Sequence, residues 1–172
     1  MIVYCNGTTQ ATTQYTIIDD EEPLTAVVAG NASNLTIRDL VPGGKDDRLK
    51  LTISGGMLVI TDVDNLLGNF TDNTTGHATE IPLDSITSVE IDLLAGNDEL
   101  SIDFGGASPG FNLSVTINGG GGHDTLIFSG PIPLGSGALT TNDEVDDIFV
   151  NGPITTQGGS VSLKAMRDLE VN

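Results

Sequence analysis

Residues 119 to 128, GGGGHDTLIF, set four glycines, a histidine and an aspartate directly ahead of an aliphatic run. The same order, a polar residue, an aspartate and then alternating aliphatics, recurs at 97–102 (NDELSI), 46–51 (DDRLKL) and 146–150 (DDIFV). Carboxylates repeated in this way are oxygen donors for a hard cation. Calcium takes about six to eight oxygens, so one ion could bridge Asp98 and Asp124 if their turns stack on each other. The competing reading of Gly-Asn-Asp and Gly-His-Asp is a tight turn in which the aspartate bonds its own backbone.

Other chemistry is thinly supplied. His77 and His123 each follow a glycine, a context of turn residues more than of ligands or bases. The six bases, Arg38, Lys45, Arg48, Lys50, Lys164 and Arg167, do not meet a second carboxylate cluster at the repeat spacing, although Asp46 and Asp47 neighbour Lys45 and Arg48. There is no nucleophile elbow, phosphate loop or zinc spacing, so no catalytic residues are expected. A formal net charge of -18 sets the chain against nucleic acid, where neutralised phosphates supply most of the affinity. Excess carboxylates keep a protein in solution or wait for divalent cations. Cys5 is the single cysteine, which excludes an internal disulfide.

The elements that must position these residues are strands. Val, Ile and Leu come in short runs bounded by Gly, Asn and Asp, among 22 glycines, which is the pattern of an all-β chain. Alternation predicts strands at 34–38, 48–54, 57–62, 88–93, 99–104, 113–118, 125–129, 147–151, 160–165 and 168–171. The aspartate-led strands begin at Asp47, Asp98, Asp124 and Asp147, so the first interval is close to twice the later ones. A coil of about two dozen residues holds two or three short strands, the size of one rung of a right-handed parallel β-helix, a β-solenoid, spanning 24–172. The loop 65–78 is then an insertion in one rung. The alternative is an antiparallel β-sandwich, but 51–60 is the one clear hairpin signal. Residues 1–23 are threonine-rich, lack the glycine-aspartate turn and end in an acidic stretch and a proline, as a segment of a preceding module would.

Residues 119–127 match G-G-x-G-x-D-x-U-x throughout and resemble the calcium-binding nonapeptide of RTX proteins, secreted bacterial β-rolls. The resemblance implies Gly120, Gly122 and Asp124 as calcium ligands or turn formers, with Asp98 joining from the neighbouring copy and Leu126 in the core. The chain departs from that family by carrying Leu93 and Leu94 where paired glycines belong, and by spacing its copies a whole coil apart. Residues 15–23 resemble the closing segment of a Calx-β domain. Segments 88–93 and 154–163 resemble repeats of large bacterial surface proteins built on β-helices.

These resemblances imply a structural or adhesive module of an exported surface, matrix or filament protein, extracellular or on the cell surface and calcium-stabilised. Its partners would be neighbouring copies or further repeats, with a cell-surface or polysaccharide ligand. Nucleic acid and a membrane span are not expected, since no apolar run reaches spanning length. The segment 168–172, DLEVN, carries no polar cap, which leaves strand edges for end-to-end stacking. The first residues show no basic and apolar leader, so an exported chain would be a piece of a longer one. Sequons at Asn6, Asn31, Asn34, Asn69, Asn73 and Asn112 point to a glycoprotein. The alternative function is a carbohydrate-active β-helix enzyme, like the polysaccharide lyases or hydrolases, for which two tyrosines and five phenylalanines offer few sugar-stacking platforms.

Overall fold

The computed structural model describes residues 24–30, 33–40, 45–64, 66–69, 74–105, 111–142 and 144–172. Cys5, the Calx-β-like segment and the sequons at Asn6, Asn31 and Asn73 lie outside them. The described chain is all-β, with one 3-10 turn at Leu83–Ser85 and no α-helix.

In chain order the strands are β1 (Leu24–Gly30), β2 (Asn34–Asp39), β3 (Arg48–Ser54), β4 (Met57–Asp62), β5 (Leu66–Asn69), β6 (Thr74–Gly76), β7 (Ala78–Pro82), β8 (Ser88–Gly96) and β9 (Glu99–Asp103). They continue as β10 (Ser114–Gly122), β11 (Thr125–Phe128), β12 (Ile132–Pro133), β13 (Leu139–Thr141), β14 (Asp147–Val150), β15 (Ile154–Thr155), β16 (Val161–Ser162) and β17 (Asp168–Val171). One sheet has the order β16-β13-β10-β8-β2-β1-β5-β6, a second β17-β14-β11-β9-β3-β4-β7, and β12 pairs with β15 alone.

From β7 to β11 successive strands alternate between the two large sheets, whereas β1–β2, β3–β4 and β5–β6 are consecutive strands of one sheet. From β8 onward every pairing among the described strands is parallel, and each strand lies beside its counterpart one repeat later. Val89, Val115, Leu139 and Val161 stand in one row, and Glu99, Thr125, Asp147 and Asp168 in another. Each such set of strands forms one tier. Antiparallel pairing is confined to β1 with β2, β3 with β4, β4 with β7, and β5 with β6, so an antiparallel sandwich does not describe the tiers.

Period-two alternation places the aliphatics inside. Leu49, Leu100, Leu126 and Ile148 form one buried row, and Leu51, Ile102, Phe128 and Val150 the next. Full burial of such a side chain is worth about 1.5–3 kcal/mol, and stacking repeats that gain once per tier. The last tier is different. Val161, Met166, Leu169 and Val171 are exposed large hydrophobics, and among the described strands β16 and β17 each have a neighbour on one side only.

Three sequence expectations are corrected. The region 65–78 is no insertion outside the core: β5 pairs in parallel with β1, and Leu67 is fully buried. The glycines at 119–122 do not turn but extend β10, in register with Leu94, Ala95 and Gly96 of β8. The segment 160–165 shrinks to β16, since as part of the end tier it has only β13 to pair with.

A candidate carboxylate ladder

The aspartates of the repeat sit on the corners between the two large sheets. β8 ends at Gly96 and β9 starts at Glu99, which puts Asp98 on a two-residue corner. β10 ends at Gly122 and β11 starts at Thr125, which puts Asp124 on the equivalent one. Parallel register superposes these corners, since Glu99 pairs with Thr125. Asp98 is 2% exposed and Asp124 1%.

Their carboxylates bond along the stack. Asp98 Oδ1 accepts the Asp47 backbone N–H at 2.8 Å, Asp124 Oδ1 accepts the Asp98 N–H at 3.1 Å, and Asp146 Oδ2 accepts the Asp124 N–H at 3.0 Å. The bonded residues are 51, 26 and 22 positions apart. A second ladder runs beside the first with opposite polarity. Asp46 Oδ1 accepts the Asn97 N–H at 2.8 Å, and Asn97 Oδ1 accepts the His123 N–H at 3.1 Å. In the first ladder each side chain reaches back to the preceding tier, and in the second it receives from the following tier. The tight-turn reading is therefore corrected: these acceptors close on a neighbouring tier's backbone, not on their own turn.

Asp146 and the second ladder go beyond the sequence expectation. Asp146, not Asp147, is the fourth residue of the Asp47-Asp98-Asp124 row, because Thr125 pairs with Asp147. The Asp46-Asn97-His123 ladder had a signal in the polar residue that precedes each aspartate of the repeat. Asp147 bonds elsewhere: its Oδ2 lies 3.0 Å from His123 Nε2 and 3.9 Å from Arg167 Nη1. Arg167 follows Asp146 in the row, since Asp147 pairs with Asp168, so the acidic row ends on a cation. Similar rows tie other corners, with the Asn142 amide donating to Asn118 Oδ1, the Asn172 amide to Asn151 Oδ1, and the Ser136 N–H to Asn112 Oδ1. The sequon asparagine Asn34 is likewise engaged, accepting from the Ser88 hydroxyl.

Burial governs the electrostatics. It pushes the Asp98 carboxyl up to about 7, against the pull of the Asp47 N–H and with added repulsion from Asp124 and Asp39. It raises Asp124 as well, with repulsion from Asp146, while the Asp98 N–H, the Asp98 side chain and His123 act the other way. Oδ2 of Asp98, Oδ2 of Asp124 and Oδ1 of Asp147 are buried where no hydrogen-bond donor reaches them.

The structure stacks the Asp98 and Asp124 corners on adjacent tiers, the arrangement a bridging calcium ion would require. One oxygen of each carboxylate is already taken by a backbone N–H. Gly120 and Gly122 are ladder residues whose α-carbons lie over the Leu94 and Gly96 carbonyl oxygens. Among the described residues no group of three or more His, Cys, Asp or Glu side chains could hold a metal ion. Calcium's about six to eight oxygens would have to come in large part from backbone carbonyls and water.

Comparison with known proteins returns no matching family model, curated protein or solved structure. A concavity of about 480 Å³ lies at the last tier, lined by residues that include Val150, Pro153, Ile154, Leu163 and Val171. Its lining contains no carboxylate side chain, so it does not continue the ladder. No helix among the described residues is long and apolar enough to cross a membrane.

Proposed function

We propose that the chain is a structural, adhesive-type module of an exported surface or filament protein, and that its tiers are rungs of a right-handed parallel β-helix. The observation that carries this reading is the tier-to-tier register: row after row of like residues stacked in parallel, with repeat-long offsets and side-chain ladders joining the corners. Such stacking supports a rod with long faces and repetitive chemistry, which suits spacing and surface contact more than catalysis. The exposed aliphatics Val161, Met166, Leu169 and Val171 would offer an attachment face to a neighbouring copy or further repeats.

Sedimentation over a wide concentration range tests the reading, together with small-angle scattering. The expected result is an elongated particle that associates as concentration rises. A strictly monomeric, near-spherical particle would count against it. The enzymatic alternative draws on the His123, Asp147 and Arg167 contact, and cleavage of an acidic polysaccharide that is lost in Asp147→Asn would favour it instead.

A further inference from the structure

Three Asn-Gly pairs occur in the chain, Asn6-Gly7, Asn118-Gly119 and Asn151-Gly152, the first of them outside the described residues. Such a pair can react with itself: the glycine nitrogen attacks the asparagine side-chain amide, since no side chain on glycine crowds the approach. The fold treats the two described pairs differently. Gly119 is buried inside β10, where the pairs of Asn118 with Asp92 and of Gly120 with Leu94 hold it in the ladder with β8. Asn151 and Gly152 lie between β14 and β15 on a corner of the stack, with Asn151 exposed. The Asn151 N–H donates to the Phe128 carbonyl at 2.9 Å and the Ile132 N–H to the Pro153 carbonyl at 2.9 Å, but among the described residues no backbone carbonyl accepts the Gly152 N–H between them. The Asn172 amide donates to Asn151 Oδ1 at 2.8 Å, which polarises the carbon that is attacked. Attack requires rotation about the Asn151 Cα–C bond. In β10 the same rotation would break the ladder, whereas at the corner it takes no bond from the glycine N–H.

We propose that Asn151-Gly152 is a site of spontaneous self-modification, at which the folded chain converts its own asparagine to aspartate and isoaspartate. The Gly152 nitrogen gives up its proton to solvent hydroxide and bonds to Asn151 Cγ, and Asn151 Oδ1 takes the negative charge facing the Asn172 amide, a donor already in place. The Cγ–Nδ2 bond then breaks, ammonia leaves with a proton from water, and a cyclic succinimide remains. Water opens that ring at either carbonyl, so the whole conversion consumes water and releases ammonia. Opening at the backbone carbonyl of residue 151 gives isoaspartate, whose backbone is longer by the side-chain carbon. The corner has little room for it, because a Cβ added at Gly152 would already stand 2.4 Å from the Gly130 carbonyl oxygen. The product therefore parts the corner from the preceding tier and sets a carboxylate beside Asn172, in the concavity that Asn151, Gly152 and Asn172 help to line.

The test is mass mapping of the native chain during incubation at mildly alkaline pH, with a urea-unfolded sample alongside. In the folded chain the Asn151-Gly152 peptide is expected to show amide-to-acid conversion about tenfold or more faster than the Asn118-Gly119 peptide, which can react only when its strand opens. Labelling by an isoaspartyl methyltransferase should mark the Asn151 product. The rate at Asn151 should rise with pH, because the attacking nitrogen must lose its proton. In urea the two peptides should convert at similar rates, since no ladder then protects Asn118. Asn172→Ala should lower the folded rate at Asn151 and leave the urea rate unchanged; a higher folded rate would show that Asn172 restrains the corner and would overturn its part in the step. Folded chain that keeps Asn151 intact while the unfolded chain converts it, or folded chain that converts both peptides at one rate, overturns the proposal.

Discussion

Alanine at Gly122 tests how closely the tiers must approach. Gly122 has φ 131°, and a Cβ there would stand 1.6 Å from the Gly96 carbonyl oxygen, where ordinary contact begins at 3.4 Å. A side chain in this backbone region costs about 1–2 kcal/mol before any clash. Relieving the clash requires β8 and β10 to part by more than an ångström at their ends. That disturbs the ladder through Leu94, Ala95 and Gly96, at about 1 kcal/mol net for each hydrogen bond lost, and draws the Asp98 N–H from Asp124. The sum is a loss of about 3–5 kcal/mol, in the range of the severe single substitutions. Gly121, one residue earlier, has nothing within 4 Å of its added Cβ and no left-handed φ. Alanine there should be neutral or stabilising by about 0.4–1 kcal/mol, through a less flexible unfolded chain. Urea unfolding of the two variants measures the difference from the midpoints at constant slope. If Gly122→Ala and Gly121→Ala unfold within about 1 kcal/mol of each other, the close approach is not required and the reasoning fails. A gap that opens only with calcium would return the glycines to a metal site.

Neighbouring leucines should respond in opposite ways. Leu93 is buried, so Leu93→Ala is expected to cost about 2–5 kcal/mol, while Leu94 holds the left-handed φ of 67° opposite Gly120, so Leu94→Asn should stay within about 1 kcal/mol of native in the same urea assay. Stability should fall as pH rises from about 4 to about 7, by on the order of 4 kcal/mol at most for Asp98 alone, and flatten above that, as measured by urea midpoints across the range. Leu169→Glu on the exposed face of the last tier should leave the melting midpoint nearly unchanged and suppress self-association in sedimentation; a variant that associates as strongly as the native chain would move the attachment face elsewhere.

The strands that proved legible in the sequence are those with strict alternation, such as β3 and β9, or a short apolar run bounded by turn signals, such as β4 and β11. β5 and β13 were missed because each is only three or four residues long, too short to show a period of its own, and each takes its extended form from a neighbour, β1 or β10. The glycine run misled for a physical reason. Glycine marks both a turn and a place where two backbones meet, and local sequence cannot tell which; here the meeting partner, Gly96, lies a whole repeat away. The candidate site was legible as a period but not as a bonding pattern. The stacking of Asp98 and Asp124 was a condition in the sequence that the register meets, and the acceptor role of each carboxylate depends on an N–H that only the register supplies. The one-residue offset at Asp146 arises because Asp146 and Asp147 are adjacent identical residues, and pairing with Thr125 alone decides between them.

The two ladders also explain how the stack keeps its register. A slip of one residue between tiers turns every aliphatic outward and is excluded by burial alone. A slip of two residues is not, because it returns each aliphatic to the interior and would bring Leu100 beside Phe128. What opposes that slip is the pair of ladders with opposed polarity. Moving the second tier in either direction parts the Asp98 N–H from Asp124 and the His123 N–H from Asn97 together, and the buried donor and acceptor of the first bond are left empty at about 1–3 kcal/mol each. The specificity has an electrostatic cost. Two ionised carboxylates one strand spacing apart, about 4.8 Å, repel by about 3 kcal/mol at an effective dielectric near 20. Asparagine would hold an N–H without that repulsion, and the outer ladder does use Asn97. In the buried ladder aspartates stand at both Asp98 and Asp124, so the contact that fixes the register also carries the electrostatic cost, and burial raises both carboxyls accordingly.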